Sequence, residues 1–122
     1  MEKKAIDWSN LGFSYMETEK RFVSNYKDGK WDAGLLTDNA NVVINECAGV
    51  LQYAQTCFEG LKAYTTEDGS IVTFRPDLNA ERMMDSCARL EMPQFPKERF
   101  LEAVDQVVRA NAAWVPPFGS GA

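Results

Sequence analysis

The stretch from Leu51 to Leu90 constrains this chain more than any other. Leu61-Lys62-Ala63-Tyr64-Thr65 reads as a strand, Glu67-Asp68-Gly69-Ser70 as its turn, and Ile71-Val72-Thr73-Phe74 as the partner strand. Pro76 ends the second run, because proline has no N–H to give a central ladder. A helix follows. Asn79 is the expected N-cap, with Asp77 as the alternative. Ala80, Met83, Met84, Cys87 and Ala88 recur at i, i+3, i+4 on one face, and the helix is predicted to end near Leu90, before Pro93. A hairpin feeding straight into an amphipathic helix points to α+β packing.

The flanking segments extend that pattern. Residues 1–10 form a lead-in that Trp8 can anchor. Arg21 to Tyr26 alternates apolar and polar, Lys27-Asp28-Gly29-Lys30 is a tight turn, and Trp31 to Leu36 is the return strand or its start, interrupted at Gly34. Val42-Val43-Ile44-Asn45 is a β-branched run predicted as a strand, and Leu51 to Thr56 is expected to be irregular. A second helix is predicted after Phe95-Pro96. Phe100, Leu101, Val104, Val107, Val108 and Asn111 fall on one of its faces, and it should stop around Asn111 to Ala113. The expectation is one α+β domain over residues 1–122: an antiparallel sheet with two helices packed on it.

Composition enters mainly by exclusion. A net charge of −5 and no basic cluster argue against nucleic-acid partners. No run approaches the roughly 20 apolar residues of a membrane span. MEKKAIDWSN has no apolar signal-peptide core, so a cytoplasmic location is expected. Cys47, Cys57 and Cys87 are odd in number, widely spaced and accompanied by no histidine, which removes the usual zinc signatures. They read as reduced thiols serving as small core hydrophobes. Without histidine, the chain alone cannot build a Ser-His-Asp or Cys-His site.

Four kinds of residue carry candidate chemistry. If Asn79 caps the helix, Arg82 stands at N3, where a lone cation opposes the helix dipole by up to about 1 kcal/mol. A bound anion would reverse that penalty, so Arg82 with free first-turn N–H groups fits a phosphate site. The plainer reading is a solvated arginine paired with Asp85 or Glu81. Phe13, Tyr53, Phe58 and Tyr64 fit either the wall of an apolar pocket or ordinary core packing. Lys62 fits either an imine-forming lysine or a strand lysine with its ammonium in water. Glu59 beside Gly60 is a lone carboxylate that specifies little.

The words Y-A-Q-T-C-F-E-G-L-K-A-Y, Tyr53 to Tyr64, and F-R-P-D-L-N-A-E-R-M, Phe74 to Met83, resemble the N-terminal part of branched-chain amino-acid aminotransferases. So do Leu90-Glu91-Met92-Pro93 and Trp114-Val115-Pro116-Pro117, and the resemblance runs from about Leu11 to the last residue. It implies the smaller N-terminal domain of a fold-type IV pyridoxal 5'-phosphate enzyme. Such enzymes move an amino group between leucine, isoleucine or valine and 2-oxoglutarate, giving the 2-oxo acid and glutamate, and work as homodimers or higher oligomers. By the resemblance, Arg82 matches the arginine that binds the cofactor phosphate. Phe13, Tyr53 and Phe58 match aromatic residues lining the substrate side-chain pocket. Glu59 belongs to the same word without an assigned role. Lys62 does not match the imine-forming lysine, which in the family lies in the C-terminal domain.

The same resemblance marks what is missing. The chain stops before the Tyr-x-Arg word that helps bind the substrate carboxylate. It also lacks the lysine, the tyrosine near it and the glutamate that contacts the pyridine nitrogen. The expectation is a fragment with no catalytic residue and no metal ligand of its own, inert alone. Two other fold-type IV activities compete, a D-amino-acid aminotransferase and an aminodeoxychorismate lyase; the long F-E-G-L-K-A-Y word argues against both. A stand-alone non-catalytic binding domain is the remaining alternative, and Trp114 and Phe118 beside an abrupt stop count against it.

Overall fold

The first turn of the chain is set by Asp28-Gly29. Both residues have positive φ, 53° and 81°, as a two-residue hairpin turn of this hand requires. In the computed structural model, which describes residues 1–121, this turn joins β1 and β4 through an inner hairpin. β1 is Arg21–Val23, β2 Tyr26–Lys27, β3 Lys30–Trp31 and β4 Leu35–Thr37. β2 pairs with β3, and β1 pairs antiparallel with β4, Phe22 opposite Leu36. Only Ser24 and Asn25 separate β1 from β2, whereas Asp32, Ala33 and Gly34 separate β3 from β4. The extra residue is accommodated as a bulge, with Gly34 at φ 70°. The Asp32 carboxylate fills it, accepting from the Asn25 N–H at 3.0 Å, the Ser24 hydroxyl at 2.9 Å and the Gly34 N–H at 2.9 Å. These bonds, the Asn25 N–H foremost, hold its carboxyl below the ordinary value of 3.8.

Further along, a five-residue helix α1, Gly49–Tyr53, occupies the segment expected to be irregular and ends at Ala54 in the left-handed region. β5, Ala63–Thr65, pairs antiparallel with β6, Ile71–Thr73, Tyr64 opposite Val72. This hairpin lies where the sequence places it. The single sheet does not form. The described strands make three separate two-stranded ladders, because each run is cut after two or three residues by the bulge, a turn or Pro76. The strand expected at Val42 to Asn45 is also absent. Those residues have no ladder partner, and Val42 and Val43 project into solvent. β-Branched side chains favour an extended backbone, but a strand also needs a neighbour for its N–H and C=O groups.

Two helices organise the rest. α2 spans Pro76–Arg89 and α3 spans Lys97–Ala110. α2 starts at Pro76 rather than after Asn79, since proline is suited to the first helical position, where no N–H is needed. It closes with the Met92 N–H bonded to the Cys87 carbonyl at 2.8 Å and the Glu91 N–H to the Ala88 carbonyl at 3.2 Å. That is a Schellman ending, with Glu91 at φ 55° where glycine is usual. α2 packs on α3, and α3 also packs on β1. Asn111, which caps the end of α3, clamps the chain before β1: its Nδ2 donates to the Lys20 carbonyl at 2.7 Å, and its Oδ1 accepts from the Lys20 N–H at 3.0 Å. The lead-in is tied down by Lys3, whose Nζ donates to Thr65 Oγ1 and the Ala112 carbonyl, both at 3.1 Å.

The core is thin. Its buried apolar residues are Ala80, Cys87, Ala112 and Val115. Cys87 meets half-buried Cys57 at 3.6 Å between sulfurs, and burial pushes its thiol up to about 11. Cys47 is exposed, so it is not the core hydrophobe expected. The accessible surface is 9133 Å². A self-contained globule of this mass, 13.7 kDa, exposes about 6,600 Å² by the usual scaling. The excess, about 2,500 Å², includes many large apolar side chains.

Two outcomes follow from this packing. Expressed alone, the 122-residue chain should bind the dye ANS and exchange its amides quickly outside α2 and α3. A sharp cooperative melt without dye binding would contradict that. In the full-length protein, Gly34→Ala should cost about 2 kcal/mol of stability, read from the urea midpoint. An added Cβ would run into the Phe22 ring and sit 3.2 Å from the Val23 carbonyl oxygen, at a φ that disfavours alanine.

Candidate functional site

Between the Phe58-Glu59-Gly60 segment and α2 lies a polar cluster. With α2 starting at Pro76, Asn79 and Arg82 are both helical and three residues apart, so they share a face. That face meets Glu59. Arg82 grips the carboxylate through two bonds: its Nη2 donates to Oε2 at 2.7 Å, and its Nε donates to Oε1. Asn79 Nδ2 adds a bond to Oε2 at 2.9 Å and another to the Gly60 carbonyl at 3.0 Å. The Glu59 side chain is 6% exposed, whereas that of Arg82 is 66% exposed. A carboxylate so withdrawn from water keeps its charge only when paired and hydrogen-bonded. The Arg82 bond, followed by the Asn79 bond, outweighs burial and holds the Glu59 carboxyl below its ordinary value of 4.5.

This geometry corrects the placement of Arg82. It stands in the second turn of α2 rather than at N3, so the dipole at the helix start does not act on it as expected. The cause is the earlier helix start: Arg75, at φ 46° and ψ 54°, is the cap, and Asp77 takes the first-turn acidic position. Nor does Arg82 pair with Asp85 or Glu81. Glu81 instead bridges to Lys97 at 2.6 Å. A guanidinium carries five N–H groups in one plane. Glu59 takes one on Nε and one on Nη2, which leaves three on the edges turned away from the carboxylate.

The three expected pocket rings project into solvent. Phe13, Tyr53 and Phe58 are 110%, 88% and 89% exposed relative to the free residue. Rings in that state enclose nothing within the described residues. The hollow beside the cluster is lined instead by Gly60, Leu61, Lys62, Tyr64, Phe74 and Asn79. Lys62 lies exposed at its rim. Among the described residues no group of His, Cys, Asp and Glu is arranged to hold a metal ion, and no helix is long and apolar enough to cross a membrane. Reasoning from the sequence missed Asn79 and left Glu59 without a role. The i, i+3 spacing of Asn79 and Arg82 was the available signal, hidden by treating Asn79 as the cap.

The ion pair makes stability depend on acid. A carboxyl whose folded value is depressed contributes fully above its unfolded value and loses that contribution as pH falls through the folded value. The Glu59 contribution is therefore intact above pH 4.5 and disappears below it. Glu59→Gln should lower stability at neutral pH and flatten this part of the acid limb, as read by denaturant midpoints at several pH values. An unchanged acid limb would remove the pair from the account.

No protein-family model matches the chain. Individual relatives do. The chain is 54% identical over 119 residues to a branched-chain-amino-acid aminotransferase of Haemophilus influenzae, covering 98% of this chain and 35% of that protein. It is 47% identical over 117 residues to a branched-chain-amino-acid aminotransferase of Helicobacter pylori, covering 96% of this chain and 34% of that one. It is 41% identical over 117 residues to a methionine aminotransferase of Arabidopsis thaliana, with 95% and 33% covered. The chain thus spans about a third of the length of the curated relatives it matches. Over nearly its whole length, this chain is similar to branched-chain-amino-acid aminotransferases.

Proposed function

We propose that residues 1–122 are the N-terminal small domain of a fold-type IV, pyridoxal 5'-phosphate-dependent enzyme. The full-length protein would transfer an amino group between leucine, isoleucine or valine and 2-oxoglutarate, in the cytoplasm, as a homodimer or higher oligomer. The observation that carries this reading is the 54% identity to a branched-chain-amino-acid aminotransferase across 98% of the chain. Both recognisable words, F-E-G-L-K-A-Y and F-R-P-D-L-N-A-E-R-M, lie inside that span.

The residues present fit the cofactor at one end. Arg82 is exposed, oriented from behind by Glu59, and keeps three N–H groups for an anion. In this reading those groups bind the cofactor phosphate as charge-assisted donors. Bound there, pyridoxal phosphate supplies the electron sink for amino transfer. Phe13, Tyr53 and Phe58 would then form an apolar wall for the substrate side chain once the remaining polypeptide and a second subunit cover them. Each methylene buried against them is worth about 0.8 kcal/mol. The large exposed apolar surface supports such cover: an excess of about 2,500 Å² on this side, matched by its cover, totals about 5,000 Å², the upper part of the obligate-interface range.

A second reading concerns substrate choice. A relative 41% identical over 117 residues is a methionine aminotransferase, and an unbranched thioether suits the same apolar walls. Turnover of the full-length enzyme decides: leucine, isoleucine and valine with 2-oxoglutarate should exceed methionine. D-alanine turnover without leucine turnover would favour a D-amino-acid aminotransferase, and pyruvate release from aminodeoxychorismate the lyase. The 122-residue chain mixed with pyridoxal phosphate should show no transamination and no stoichiometric, borohydride-reducible attachment. A specific reducible adduct would overturn the assignment of the chemistry to absent polypeptide.

A further inference from the structure

Glu59 is a nearly buried carboxylate whose two oxygens are both spent on α2. The geometry points to Glu59 as a positioning residue that sets the plane of the Arg82 guanidinium for phosphate binding. The inference rests on the reading of Arg82 as the phosphate anchor and gives that anchor a mechanism.

Three observations support it. Glu59 holds the Nε–Nη2 edge of Arg82 and leaves the remaining N–H groups on the exposed side. An anion can therefore approach without displacing the carboxylate. A fork held at one edge by two parallel bonds has little freedom to rotate, so the ordering needed to bind a phosphate is already complete. Glu59 is itself fixed: Asn79 donates to the same Oε2 and, through the same Nδ2, to the Gly60 carbonyl. The backbone beside Glu59 is thereby tied to the helix that carries Arg82. Against this stands electrostatics, because Glu59 neutralises the cation that a phosphate would seek. The two effects have opposite signs in one measurement.

That measurement is cofactor affinity of the full-length apoenzyme, titrated with pyridoxal phosphate and with pyridoxal, which lacks the phosphate. Glu59→Gln should weaken pyridoxal phosphate about tenfold and leave pyridoxal within about twofold. The ³¹P resonance of the bound phosphate should shift or broaden. Asn79→Ala keeps the ion pair and loosens Glu59 on one side; it should move pyridoxal phosphate affinity the same way, by about threefold. Arg82→Lys should weaken pyridoxal phosphate at least as much as Glu59→Gln. Adding Glu59→Gln to it should cost less than about twofold more, because the two residues act as one unit. Tighter or unchanged binding in Glu59→Gln would show the carboxylate to be a competitor and overturn the inference. Equal loss of both ligands, or full additivity with Arg82→Lys, would reduce Glu59 to a fold-stabilising role and overturn it as well. If Arg82→Lys leaves both the affinity and the ³¹P resonance unchanged, the phosphate-anchor reading fails first and takes this one with it.

Discussion

The start of α2 at Pro76 is the constraint from which the polar cluster follows. Arg75 adopts the left-handed region, at φ 46°, which costs a non-glycine residue about 1 kcal/mol. Two features offset this. Pro76 brings a φ already suited to the first helical position. Arg75 also donates to Asp77 through Nε at 2.9 Å and Nη2 at 2.7 Å, and this pairing pushes the Asp77 carboxyl down to about 2. Asp77 sits in the first turn, where a negative charge is favourable. With the helix already begun, Asn79 has no capping duty. Its amide is free to reach Glu59 and the Gly60 carbonyl, and Arg82 follows three residues later on the same face.

Around that junction the molecule is held together by a few specific ties more than by a deep core. Trp31 is one of them. Its indole N–H donates to the Gln94 carbonyl at 2.9 Å, and its ring meets Tyr26 and Phe95 edge-on, with centroids 5.2 and 5.0 Å away. It fastens the inner hairpin to the α2–α3 connection. The Asn111 clamp on Lys20 fastens β1 to the end of α3. Such ties fix geometry while burying little apolar area. The abundance of exposed rings and aliphatic side chains fits a segment whose packing is completed by other polypeptide.

Function, on the reading proposed, divides along the same line. The described residues contain a polar anchor that is organised in advance: a carboxylate withdrawn from water, a guanidinium facing it, and an amide steadying both. They do not form a pocket from Phe13, Tyr53 and Phe58, which stand in solvent. Local bonds between a loop and a helix suffice for the anchor. A pocket wall needs an opposing surface.

What the sequence alone determined is what depends on neighbours along the chain. The Asp28-Gly29 and Asp68-Gly69 turns, the β5–β6 hairpin, the bodies of α2 and α3 and the stop before Pro93 are all readable, because turn dihedrals and helical periodicity are local. The family words are likewise a property of the string. Tertiary structure decided the rest. Glu59 and Arg82 lie 23 residues apart, and no periodicity announces that pairing. Arg21 to Tyr26, which reads as one strand, divides into β1 and β2 opposite the bulge at Asp32 to Gly34, and Val42 to Asn45 stays unpaired although its composition favours a strand. Pairing, register and the choice of partner for a buried charge depend on which distant segments arrive together, and that is settled only when the chain is folded.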